Sequence, residues 1–289
     1  MRSRLGGSFL VFAWFVFSLA CPAPASAQGV PAQEVKQIEE KLNAENSAIV
    51  ETRQEVIKKE NASSNADEWA GEYYYGDGLG VNVRLLFSPT SGFAYTWHGC
   101  LGLYDQNYGD VQQKPGRVRL LPKLANNRRG FGGIAEEFYE VRWGPRHYLV
   151  STDGVIDFAN AVNAGTEPRA NNFSSSFLLK RGDETRKAIG IPAIPVEYAD
   201  YLLRQPLEAQ ISSVGRVHME DGERFDTVTI GIGLADGVRK GMEFFVVRPV
   251  LGSGSVTKVS EHECELELRQ YELKPQQPSS KWKLSTRMH

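Results

Sequence analysis

Two side chains able to do chemistry stand two residues apart near the middle of the chain, His98 and Cys100, with Asp105 and Asp110 close behind. A thiol beside an imidazole is the pattern of a nucleophile and its base, and the same pair can begin a zinc site. The two carboxylates offer general acid–base groups for hydrolysis. Zinc ligands normally pair at wider spacing and repeat the pair elsewhere, and no second pair follows. Alternation along a strand would turn His98 and Cys100 to one face. A buried thiol beside a hydrogen-bonded histidine is the favoured reading, with Asp105 and Asp110 as surface charge. We therefore assign no catalytic residue, no metal ligands and no cofactor, and expect a non-enzymatic protein.

The element that must position these groups is rich in aromatics and glycine. Val81, Val83, Leu85 and Phe87 alternate with polar residues, and Phe93, Tyr95 and Trp97 do the same after the turn Ser88-Pro89-Thr90-Ser91-Gly92. This is the period of two half-buried strands joined as a hairpin. Tyr73, Tyr74 and Tyr75 suggest a strand before it. Gly76-x-Gly78-x-Gly80 leads into a strand rather than a helix, so it reads as a turn and not as a phosphate cradle. If the hairpin lines a ligand site, Tyr95, Trp97, His98 and Tyr104 are its candidate residues.

The start of the chain is the clearest address. Arg2 and Arg4 precede the apolar run Phe9–Ala20, and Ala25-Ser26-Ala27 forms a small-x-small site before Gln28. Together they predict a secretory signal peptide over residues 1–27, cut between Ala27 and Gln28. The apolar run is shorter than the roughly 20 residues of a membrane-spanning helix. Ser18-Leu19-Ala20-Cys21 also resembles a bacterial lipoprotein box, so Cys21 is a possible lipidation site and the one route to membrane association. The expected location is periplasmic or extracellular, with a lipoprotein anchored at Cys21 as the alternative. Losing Arg2 and Arg4 reduces 33 basic residues to 31 against 35 acidic ones, a net of about −4. That balance argues against a nucleic-acid partner.

Residues 28–66 read as an amphipathic helix and linker. Val35, Leu42, Ile49 and Val56 recur at seven-residue spacing, but Glu45, Thr52 and Lys59 break the second half of a coiled-coil seam. A helix on or beside the globular part is the simpler reading; self-association through residues 31–60 is the sharper one. Residues 67–188 form an antiparallel β-rich domain. Within it Phe138–Trp143 and His147–Ser151 pair around Gly144-Pro145, and Thr152 or Asp153 caps a helix that ends at Gly165. Arg128 and Arg129 sit in a glycine-rich loop and read as solvated charge. Pro192, Pro195 and Pro206 mark a connector with a short helix over 189–206.

From residue 207 the pattern turns to short, evenly spaced strands: Ile211–His218, Thr227–Ile232, Met242–Val247, Ser255–Val259 and Cys264–Leu268. Five such strands predict a small β-barrel over 207–273, with a tail over 274–289. The fold class is thus mainly β with a few helices. Of the cysteines left after cleavage, Cys264 points into a core, and a bond to Cys100 would staple the two domains.

The stretch Gly233-Leu234-Ala235-Asp236-Gly237-Val238-Arg239-Lys240-Gly241-Met242-Glu243-Phe244-Phe245-Val246 resembles the small β-barrel domains that end bacterial flagellar T-ring assembly proteins and those of rod-shape-determining envelope proteins. The resemblance covers about a quarter of the chain and implies an assembly module without catalytic residues. Trp69-x-Gly71-x-Tyr73 is loosely similar to the opening of calycin-type barrels, which hold small ligands. The expected function is an exported bacterial envelope protein acting as a non-enzymatic binding or assembly module, with protein or envelope components as partners. The alternatives are a small-ligand-binding barrel and a hydrolytic enzyme built on His98 and Cys100.

Overall fold

A computed structural model describes residues 32–63, 67–76, 81–100, 102–126, 133–168, 176–220, 223–248, 250–272 and 274–288. The leader with Cys21, Ala27 and Gln28, the glycines Gly78 and Gly80, and the pair Arg128 and Arg129 lie outside the described residues. The chain is mainly β and contains two closed barrels. No described helix is long and apolar enough to cross a membrane.

The first barrel is a simple meander. Its strands are β1 (Gly71–Gly76), β2 (Asn82–Ser88), β3 (Gly92–Gly99), β4 (Gly102–Lys114), β5 (Arg117–Pro122), β6 (Glu137–Trp143), β7 (Arg146–Ser151) and β8 (Phe177–Lys180). Each pairs antiparallel with the next, and β8 returns to β1, so no edge remains. The hairpin expected from alternation is present as β2–β3, with Leu85 opposite Tyr95 and Phe87 opposite Phe93. Because side chains alternate across a strand, the same period that places Tyr73, Leu85, Phe93 and Leu149 in the interior turns Tyr74, Leu86, Ala94 and Val150 outward.

Two helices cover the outward apolar residues. One is α1 (Ala32–Asn61), whose residues from Glu45 on bury Val50 and Ile57 against Leu86 and Ala94. Arg53 adds hydrogen bonds to the Ser91 and Gly109 carbonyls, and Asn61 one to Phe87. Leu42, Ile49 and Val56, the stripe read from the sequence, are instead exposed. The docking face is Val50, Arg53, Ile57 and Asn61, whose steps of three and four keep them on one side of a helix. The other helix, α2 (Val155–Ala164), inserts Phe158 between Tyr148 and Phe177, with ring centroids 5.2 and 5.8 Å away. Its N-cap is Gly154, not Thr152 or Asp153, and no side chain caps it. A Cβ at Gly154 would meet the Ser176 Cβ at 2.3 Å, so the site is too crowded for a capping residue. At the other end Gly165 adopts φ 76°, the left-handed stop expected there.

The second barrel corrects the five-strand expectation. It has six strands: β9 (Glu208–Glu220), β10 (Glu223–Ile230), β11 (Glu243–Arg248), β12 (Gly252–Val259), β13 (Cys264–Gln270) and β14 (Lys283–Ser285). The sixth, β14, lies in the stretch read as a tail and closes the barrel between β11 and β9. It is three residues long with one apolar side chain, Leu284, too short for alternation to register. The Asp-Gly-Val segment has a local explanation. Asp236 accepts a hydrogen bond from the Gly233 N–H, Gly237 and Gly241 take φ of 92° and 87°, and Val238, Met242 and Phe244 enter the core.

Helix α2 also joins the barrels. Asn160 donates to the Gly241 carbonyl at 2.9 Å and accepts from the Glu243 N–H at 3.1 Å. Asn163 does the same with the Tyr201 carbonyl and the Leu203 N–H. Each amide is used at both ends, which fixes the direction of the helix against the second barrel.

Candidate functional site

One end of the first barrel is closed from within. Trp69, two residues before β1, packs on the interior, and its carbonyl accepts the Tyr73 hydroxyl at 2.9 Å. The His147 ring meets Trp69 edge to face at 4.9 Å and hydrogen-bonds Asp183 at 2.8 Å. Burial is the largest influence on His147 and lowers its pKa, although Asp183 opposes it. This histidine therefore braces the closed end.

Toward the other end the interior is not filled. A cavity of about 220 Å³ is lined by Val83 of β2, Tyr95 of β3, Phe138 of β6, Ser151 of β7 and Leu178 of β8. Gly133, Ile134 and Ala135, just before β6, and Ser176 and Asp153 complete the described wall. The strands deliver these residues because each stands on the inward phase of its alternation. Phe138 pairs with Ser151 across β6–β7, and Tyr95 with Leu85 across β2–β3. Facing pairs share a side of the sheet. Burial first, and then the nearby Asp105 carboxylate, push the Tyr95 hydroxyl pKa upward, so it stays protonated. The Ser151 hydroxyl is the unusual group. Ser151 is 2 % exposed, and its Oγ has no hydrogen-bond partner among the described residues. An unsatisfied buried hydroxyl costs about 1–3 kcal/mol.

Of the four residues proposed from sequence, Tyr95 alone lines this cavity. Trp97 faces inward above it, half-buried, with its ring 5.7 Å from that of Tyr104. His98 falls on the outward phase and is exposed. Cys100 is also exposed, in the turn after β3 ends at Gly99. The expected buried thiol is therefore corrected: the strand stops before the alternation can carry Cys100 inward. Cys264 is buried in the second barrel, and no disulfide joins the two. Asp105 is corrected in the opposite sense, being 2 % exposed and directed inward opposite Trp97. Asp110 is on the surface, paired with Lys123 at 2.6 Å. Among the described residues no group of three His, Cys, Asp or Glu side chains is arranged to hold a metal ion.

Ser151, Ile134, Phe138 and Leu178 were missed as site residues. Phe138 and Leu178 lie in segments whose strand character is readable, but nothing in a single strand says which others it will face. Ser151 ends its strand as an ordinary polar residue. Protein-family models, characterised proteins and solved structures compared with this chain give no match.

Proposed function

We propose that this protein is an exported, non-enzymatic binding protein of the bacterial envelope whose eight-stranded barrel holds a small ligand. The observation carrying this reading is the cavity with the orphan Ser151 hydroxyl on its wall. A core selected for stability alone would fill that space or give the hydroxyl a partner. The wall combines apolar side chains with a few hydrogen-bonding groups, the usual make-up of small-molecule sites. The signal sequence supports export, and an N-terminus at Gln28 in the exported chain is its test; a lipidated Cys21 would instead make the protein membrane-anchored.

The experiment is ligand-dependent stabilisation. A ligand that binds only the folded chain raises stability by about 2.7 kcal/mol at a hundredfold excess over its Kd. Ethylbenzene should raise the melting temperature of the mature protein, and Ala135→Phe, which puts a ring on the cavity wall, should abolish the rise. No stabilisation by any small apolar molecule would remove the reading.

The assembly reading keeps one observation in its favour. The β9–β10 ribbon carries exposed Val217 and Met219, in the barrel whose sequence resembles envelope assembly modules. Pull-down of envelope proteins that is lost in Val217→Lys/Met219→Lys would support it.

A further inference from the structure

The ligand-binding reading leaves open what the cavity takes, and the wall answers part of that. Among the described lining residues there is no Lys, Arg or His. The charged residue among the described lining is Asp153, exposed at the rim, and the Asp105 carboxylate on the inner face of β4 acts on Tyr95. An anionic head group drawn in as far as Ser151 would lose its hydration and find no cation among the described lining residues. An ammonium would fare little better. Asp105 is not among the lining residues and Asp153 stands at the exposed rim, where water screens it, so a cation drawn in as far as Ser151 would trade its hydration for one hydroxyl. A serine hydroxyl offers one donor and two acceptor positions to a neutral group.

Size narrows the ligand further. An apolar cavity of roughly 150 Å³ holds benzene. The space here, about 220 Å³, suits a ring or short chain a few heavy atoms larger. Building on the proposed function, we infer that the cavity binds a small neutral molecule with an apolar body and one hydroxyl or carbonyl group, which hydrogen-bonds the Ser151 hydroxyl. Val83, Phe138 and Leu178 enclose the body, and Ser151 fixes its orientation.

Four probes of similar size test this on the mature protein by calorimetric or NMR titration: ethylbenzene, benzyl alcohol, benzoate and benzylamine. Benzyl alcohol and ethylbenzene should bind, and the two ions should bind at least tenfold more weakly than the alcohol. Ser151→Ala should weaken benzyl alcohol by about three- to tenfold, the worth of one hydrogen bond, and leave ethylbenzene unchanged. The variant should melt no lower than the parent, since it only removes an orphan hydroxyl, so a loss of binding cannot be put down to unfolding. Shifts of the Ser151, Phe138 and Leu178 amide signals on adding the alcohol give a second, mutation-free readout. If ethylbenzene binds but Ser151→Ala affects both neutral probes alike, or if an ion binds best, the ligand class is wrong while the cavity reading stands. If none of the four binds, both fail.

Discussion

Leu284 should be among the most costly positions in the second barrel, although it belongs to a strand of three residues. Its side chain is fully buried in a core that also holds Trp282, Phe244 and Ile211. Its backbone lies opposite Val246 on one side and Ala209 on the other. Leu→Ala in a core costs about 2–5 kcal/mol, and the cost rises when neighbours cannot collapse into the space. Here the strand is hydrogen-bonded on both flanks, and Thr286 exchanges further hydrogen bonds with Leu207. Collapse is therefore hindered, and we expect a loss of about 3–4 kcal/mol for Leu284→Ala. Set against a domain stability of about 5–15 kcal/mol, that is a large fraction. Urea unfolding followed by tryptophan fluorescence at Trp282 is the assay, with Lys281→Ala, an exposed neighbour, as the control expected to stay within about 0.5 kcal/mol. The same argument predicts that a fragment 207–289 folds cooperatively and a fragment 207–273 does not, since the shorter one leaves β9 and β11 as open edges. Equal urea midpoints for the two fragments, followed by circular dichroism because 207–273 lacks Trp282, or a Leu284→Ala cost below about 1 kcal/mol, would refute the six-strand closure.

The cysteines should differ sharply toward a thiol reagent. Exposed Cys100 should label in the folded protein, while Cys264, whose thiol is pushed up to about 12 chiefly by burial, should label only on unfolding; equal rates would contradict the burial of Cys264. Stability should also depend on pH through Glu243. Burial is the main cause raising its pKa and the charge of Asp157 adds to it, against a hydrogen bond with Ser253. The folded state then holds the proton more tightly than the unfolded one. The contribution is therefore present at acid pH, below the unfolded value, and is lost as pH rises through the folded value. Glu243→Gln should flatten the fall in urea midpoint as pH rises above the ordinary carboxylate range, and an unchanged slope would show that this carboxyl does not set it.

The sequence by itself determined what depends on near neighbours. Alternation places Leu85, Phe87, Phe93 and Tyr95 on one face whatever the rest of the chain does, so the β2–β3 hairpin is legible. Positive-φ glycines at Gly165 and Gly237 stop helical turns for a reason that lies in those residues alone. Tertiary structure decided what depends on partners distant in the chain. Closure of the first barrel brings β8 to β1, more than ninety residues away in sequence, and only then do Tyr95, Phe138, Ser151 and Leu178 bound one space. Asp105 looks like any surface acid until the inward phase of β4 is set by its pairing with β3. Cys100 looks buried until the strand before it ends one residue early. The strand β14 carries too little pattern to be seen alone; it exists because β9 and β11 leave unpaired backbone groups that Lys283–Ser285 satisfies.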